Sequence, residues 1–93
     1  MSEQIQVTEM GPREFAVRLN EGTDTTHHRV VVPASLLDDL LLDEEDAADV
    51  VHEAMAFLLE RDHADAVPDD LVLTSLVEEY EEFLPELRER LDR

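Results

Sequence analysis

Four histidines are the side chains of this sequence best suited to metal or acid–base chemistry. His52 is followed by a glutamate, as in the helix motif of zinc proteases, but that motif needs a second histidine four residues later, where this chain has Ala56. His27 and His28 are neighbours on a predicted strand, so they point to opposite faces and cannot bind one ion together. His63 lies among aspartates in a predicted loop. We expect all four to be surface or boundary side chains.

The carboxylates come in runs, at 43–46, 78–79 and 81–82. Catalytic carboxylates are distinguished by burial and a shifted pKa, whereas runs of acids are typical of solvated faces. The acidic segment 62–70 lacks the alternating Asp and Asn with a central Gly that a calcium loop needs. The sequence therefore predicts no defined metal site, and a divalent-metal-binding protein is the third functional hypothesis.

Nucleophilic and phosphate-binding motifs are absent from the sequence. It has no Cys, which excludes disulfides and a thiolate nucleophile, and no serine in a Gly-x-Ser-x-Gly context. The only two glycines, Gly11 and Gly22, both lie in predicted turns, so no glycine-rich phosphate loop exists. We expect a protein that is not an enzyme and that binds no cofactor.

The charge of the chain is strongly negative and unevenly distributed. Its 93 residues, enough for a single domain, carry 25 acids against 7 arginines and no lysine, a net charge of −18. Residues 1–32 hold five acids and three arginines, so nearly all of the excess lies in residues 33–93. Such a field repels phosphates, which makes nucleic acids and anionic membranes improbable partners. With no apolar run of transmembrane length and no signal-peptide pattern, we expect a cytoplasmic protein.

Three explanations of this charge stay open. Acidic faces keep a small protein soluble, and proteins of salt-loving hosts have a similar composition. The acid can also form a functional surface that meets a basic partner, including the mimicry of DNA. The third explanation is the binding of divalent cations. Composition does not separate these explanations.

Three predicted strands come first in the chain among the elements that would position a site. Alternation of apolar and polar residues over 4–9, 14–20 and 25–32, separated by short glycine-containing turns, predicts an antiparallel three-stranded meander with one buried face. On the middle strand Phe15, Val17 and Leu19 point to the core. Pro33 ends the third strand, because proline cannot donate to a ladder.

Helices follow the meander. The sequence predicts a short helix over 34–42, anchored by Leu36, Leu37, Leu40 and Leu41. It predicts a second helix over 44–61, with an N-cap in the acidic run 43–46 and acids in the first turn, which favour the helix dipole. After a loop over 62–70, a helical segment begins near Thr74, and Pro85 falls inside it, which predicts a kink or two helices. The fold class is α+β: a three-stranded antiparallel β-meander (1–32) and a helical part (33–93) of two to three α-helices on one sheet face.

Residues 28–61 resemble a ribbon-helix-helix repressor: His-Arg-Val-Val-Val-Pro, then Ala-Ser-Leu-Leu-Asp-Asp-Leu, then Val-Val-His-Glu-Ala-Met-Ala-Phe-Leu-Leu-Glu. In that family, one strand from each chain pairs in a dimer and reads the major groove of DNA. The resemblance covers about a third of the chain, and it implies an antitoxin-type or transcriptional regulator. This chain differs in its shorter first helix and in the two strands that precede the ribbon.

Two surfaces are candidates for an interaction. The strand pattern places Arg18, His27 and Arg29 together on the outer sheet face, where they form a cationic cluster in an acidic molecule, and arginine suits carboxylate pairing. The C-terminal segment carries more apolar surface than a three-stranded sheet covers, which favours a homodimer or partner interface. The residues that we assign to this second surface are Val77, Tyr80, Phe83 and Leu84. The leading hypothesis is a small acidic protein-interaction module.

Overall fold

A four-stranded mixed sheet carries four α-helices in the computed structural model, which describes residues 4–61 and 66–91, and the predicted α+β class is confirmed. The strands are β1 (Ile5–Gly11), β2 (Glu14–Glu21), β3 (Asp24–Val31) and β4 (Asp70–Val72). The helices are α1 (Ala34–Leu40), α2 (Ala47–Arg61), α3 (Thr74–Glu79) and α4 (Phe83–Leu91), with a short 3-10 helix at Glu44–Asp46.

The first three strands form the predicted antiparallel meander. The β2–β3 register places Val17 opposite His28 and Arg18 opposite His27. The turn between these strands needs a residue in the left-handed region, and Gly22 supplies it with a φ of 64°. Side chains alternate between the two faces, so the strands bury one face and expose the other.

The fourth strand was not predicted. Strand β4 begins at Asp70, the last residue of the predicted loop 62–70, and it pairs parallel to β3 with Leu71 beside Val30. Arg29 N also donates to Asp69 O at 2.7 Å, and Leu73 N donates to Val31 O at 3.1 Å. The strand order is therefore β1-β2-β3-β4, and β3 is hydrogen-bonded along both of its edges.

The core lies between the inner sheet face and the helices. It combines Phe15, Val17 and Leu19 from β2 with apolar side chains from all four helices. Helix α2 contributes most, and burial of Val50, Val51, Ala54, Met55, Phe57 and Leu58 follows its predicted helical spacing.

Helix α1 ends two residues earlier than predicted. Leu42 N donates to Leu37 O at 2.9 Å and Leu41 N donates to Asp38 O at 3.1 Å, the two bonds of a Schellman C-terminus. Leu41 takes a φ of 58° there, which turns its side chain away from the core. The expectation that Leu41 anchors the helix is thus wrong, whereas Leu36, Leu37 and Leu40 are buried as predicted.

The C-terminal segment consists of two helices, one of the two outcomes predicted from Pro85. The break lies at residues 80–82, however, and Pro85 is the third residue of α4. Proline is tolerated at this position because an N–H in the first turn has no intrahelical acceptor.

Candidate functional site

The outer sheet face brings Arg18, His27 and Arg29 together. Arg18 stands directly opposite His27 across the β2–β3 ladder, and the next outward pair is Ala16 opposite Arg29. All three side chains are exposed, on the face that the helices leave uncovered. We call this set of three residues the cationic patch.

The two arginines of the cationic patch differ in their partners. Arg29 forms an ion pair with Glu14, which lies one pair further along β2. Across residues 4–61 and 66–91, by contrast, Arg18 forms neither an ion pair nor a hydrogen bond through its side chain.

The other arginines in the described part of the chain all have partners. Arg13 lies 3.5 Å from a Glu44 carboxylate oxygen, and Arg88 Nη2 donates to Asp39 O at 2.8 Å. Arg61 and Arg90 both bind acids of the helical layer. Arg18 is therefore the exception among the six arginines that the structure describes.

Helices α2 and α4 are joined by an ionic network around Glu86. One Glu86 oxygen accepts from Arg61 Nη2 at 3.0 Å and the other accepts from Arg90 Nη2 at 3.1 Å. The hydrogen bond from Arg90, aided by the charge and hydrogen bond of Arg61, lowers the pKa of Glu86. A hydrogen bond to Glu60 raises the pKa of Arg90, with a further contribution from Glu86. Arg61 also stacks on the Phe57 ring, with its guanidinium carbon 3.6 Å from the ring centroid.

The second predicted surface is largely part of the core. Phe83 is fully buried, and its ring meets the Phe57 ring edge-on at 5.1 Å between centroids. Tyr80 makes a similar contact with Phe57 at 5.5 Å. Val77, Tyr80 and Leu84 are half-buried against the same core. Burial removes Phe83 from any accessible interface, and the apolar residues that suggested a dimer are packed within one chain.

The structure distinguishes the two neighbouring histidines sharply. His27 is exposed, whereas His28 is only 5 % exposed, which corrects the expectation that all the histidines lie at the surface or boundary. Nδ1 of His28 lies 2.8 Å from Pro68 O, and Nε2 lies 2.7 Å from Thr26 Oγ1. Because a carbonyl only accepts, Nδ1 carries the proton and donates it to Pro68. His28 thus fastens β3 to the segment that leads into β4.

The structure gives no support for a metal site among the described residues. No group of three His, Asp or Glu side chains within residues 4–61 and 66–91 is arranged to hold an ion. His52 lies 3.7 Å from its neighbour Glu53. His63 and the aspartates beside it lie outside the described residues, so the acidic segment 62–70 is only partly covered.

A groove between the end of α1 and α4 is a feature that the sequence analysis missed. It has a volume of about 760 Å³, and its apolar lining includes Leu41, Leu42 and Pro85. Asp39 and Glu89 add carboxylates to the lining. Leu41 is 92 % exposed, the largest exposure among the large apolar side chains that the structure describes. A signal was present in the sequence: no glycine follows the first helix, although an abrupt helix end favours one.

Comparisons with known proteins add no assignment, because no family model, curated protein or solved structure matches this chain. Among the helices within residues 4–61 and 66–91, none has the length and apolar character needed to cross a membrane.

Proposed function

We propose that this chain is a non-enzymatic protein-interaction module that binds a partner protein through its outer sheet face. The partner contributes a carboxylate that pairs with Arg18, at the centre of the cationic patch. The observation that carries this proposal is an exposed arginine with no acidic partner among the described residues, in a chain where acids outnumber arginines by 25 to 7.

The chemistry of Arg18 supports this role. A guanidinium presents its donors in a planar fork that matches a carboxylate, and it loses less hydration on burial than an ammonium group does. Arg18 lies on β2, which pairs with β1 on one side and with β3 on the other, so the backbone of Arg18 is held by two ladders. A partner carboxylate therefore meets a positioned cation with unused donors.

Apolar contact area lies beside the cationic patch. Val31 and Val72 stand next to each other on β3 and β4, and Val72 is exposed. Ala16, between β1 and β3, leaves room for a partner to approach the sheet closely. Non-obligate protein interfaces combine apolar and polar area, and arginine is enriched in them.

The proposed partner is a different protein. A two-fold contact between two outer faces sets each cationic patch against its own copy, and like charges repel across such an interface. A contact between the cationic patch of one copy and the acidic helices of another does not close into a dimer. The homodimer predicted from the sequence is thus the alternative, and the experiment below distinguishes it from a complex with a different protein.

A regulator of the ribbon-helix-helix type receives no such support. The ribbon of that family pairs with a second copy, whereas β3 is already hydrogen-bonded to β2 and β4 of its own chain. A free ribbon would require at least β4 to detach.

Affinity purification of the tagged full chain from its native cells, at the salt concentration of the host, tests the proposal. Arg18→Gln is compared with Arg13→Gln, which changes the net charge equally but lies in the β1–β2 turn and pairs with Glu44. We expect a stoichiometric partner that the wild type and Arg13→Gln retain and that Arg18→Gln loses. The purified partner should then bind the wild type at least tenfold more tightly than Arg18→Gln.

Two results contradict the proposal. One is a partner that Arg18→Gln retains at full affinity, because another surface then binds it. The other is recovery of the chain alone at the mass of a dimer, which establishes self-association instead.

A further inference from the structure

We propose that the groove between α1 and α4 is a second docking site, which receives apolar side chains flanked by lysine or arginine from a partner protein. This site is distinct from the outer sheet face and does not depend on it. The strongest indication comes from Leu41, one of the residues that line this groove.

Leu41 occupies a position that is unfavourable for leucine in the isolated chain. The residue before the last one of a Schellman motif, here Leu41, takes a left-handed conformation, in which a side chain is strained and glycine is preferred. Almost the whole Leu41 side chain is also in water. The left-handed backbone costs stability and the exposed side chain contributes none in return, so the folding of the monomer does not explain leucine here. A contact outside the chain does.

The surroundings of Leu41 define what it contacts. Leu42, Pro85 and Leu91 line the groove beside Leu41. The groove has a volume of about 760 Å³, which is large enough for two or three apolar side chains. Arg88 donates to Asp39 O at the end of α1, which fixes α4 against that helix end. The groove is therefore a formed cavity between two anchored helices.

Charge selects the class of partner. The groove is lined by the carboxylates of Asp39 and Glu89, and Arg88, the basic residue in its lining, already donates to Asp39 O. The C-terminal carbonyls of α1 add partial negative charge, which favours the hydrogen bond from Arg88. Basic residues on either side of the inserted side chains complement this rim. A second copy of this chain is disfavoured, because a two-fold contact would set the carboxylates of one groove against those of the other.

The first probe is a fluorescent helical peptide with leucines at positions i, i+3 and i+7 and lysines beside them, titrated into the full chain. Two control peptides separate the contributions: one replaces the lysines with glutamate, and the other keeps the lysines and replaces the leucines with serine. We expect saturable binding of the first peptide and at least tenfold weaker binding of both controls. Equal binding of the serine peptide would overturn the proposal, because it would show general attraction to an acidic protein.

Protein variants locate the site. Leu41→Gly removes the side chain and relieves the backbone, so the variant stays folded and should melt at a higher temperature than the wild type. We expect it to bind the leucine peptide at least tenfold more weakly. Met10→Gln, which removes an exposed apolar side chain of β1 outside the groove, should bind as the wild type does. Unchanged affinity of Leu41→Gly would refute the site.

Discussion

The arginines of the helical layer and those of the sheet are used differently. Arg61 and Arg90 lie between α2 and α4 and bind the acids that would otherwise repel each other there. On the sheet, Arg29 pairs with Glu14, but Arg18 has no acid in reach within the described residues. The chain has few cations, and most of those described bind its own acids or carbonyls. Arg18 is the arginine without such a partner among the described residues, so we expect an external partner to bind there.

The same contrast separates the apolar residues. Phe83, which the sequence analysis assigned to an interface, is fully buried in the core. Leu41, which it assigned to the core, is exposed in a strained conformation. Side chains that stabilise the fold and side chains that are surplus to it therefore differ in contacts, not in type. Substitutions can test this division, because the first group should cost stability and the second should not.

The largest effect should come from a polar residue that the fold uses. His28→Ala removes two partly buried hydrogen bonds and the packing of a buried ring, and it leaves Pro68 O without its donor, so we expect a loss of about 2–4 kcal/mol in the free energy of unfolding. The adjacent His27→Ala, on the exposed face of the same strand, should change it by less than about 0.5 kcal/mol. Urea unfolding followed by circular dichroism measures both. Equal losses for the two variants would show that the faces of β3 are not distinguished as the structure indicates.

A residue surplus to the fold should show the opposite sign. Leu41→Gly is expected to raise the free energy of unfolding by about 1 kcal/mol, because glycine adopts the left-handed conformation without strain. Leu41→Ala keeps the strain and removes only exposed atoms, so it should lie within about 0.5 kcal/mol of the wild type. Thermal and urea unfolding of the three proteins give the comparison. A destabilised Leu41→Gly would mean that the leucine packs within the monomer after all.

The ionic network of the helical layer should make a smaller and pH-dependent contribution. Because the pKa of Glu86 is lowered in the folded chain, its carboxylate stabilises the fold at pH values above the ordinary value of 4.5, and this stabilisation is lost as the pH falls through the lowered folded pKa. Wild type should therefore be more stable than Glu86→Gln at neutral pH, and the difference should vanish in acid.

Glu78→Gln is the matched control for this measurement. Glu78 is exposed on α3 and forms no ion pair among the described residues, so its substitution should show no such pH-dependent difference. Melting temperatures of the wild type, Glu86→Gln and Glu78→Gln, measured from neutral to acid pH, test this difference. A constant gap between wild type and Glu86→Gln would contradict a role for the Glu86 charge.

Much of the fold follows from local pattern in the sequence. Period-two alternation predicts the meander, and its hairpin register places Arg18 beside His27, as observed. Helical spacing predicts α2 through its last residue, Arg61. These features depend on neighbours in the chain, which is why a single sequence reveals them.

The features that escaped prediction depend on distant contacts or on one backbone angle. Strand β4 has three residues, too few for an alternation, and it exists because β3 offers a free edge to it. His28 lies on the inner face opposite Val17, and the carbonyl that accepts from its ring comes from Pro68, just before β4. Leu41 fits the spacing of the helix before it, and only its φ of 58° sends it into solvent. That Arg18 lacks an acidic partner is likewise visible only once all neighbouring carboxylates are placed.

The smallest effect on stability is expected at Arg18, and this makes it the most informative position. Arg18→Gln removes no ion pair or side-chain hydrogen bond within the described chain, so the free energy of unfolding should stay within about 0.5 kcal/mol of the wild type. Arg29→Gln, its neighbour in the cationic patch, breaks the ion pair with Glu14 and should cost up to about 1 kcal/mol, the usual limit for an exposed pair. Urea unfolding at low salt resolves such a difference best, because salt screens the pair. A loss above about 1 kcal/mol for Arg18→Gln would show that this arginine stabilises the fold. The outer sheet face would then lack the available cation on which its proposed function depends.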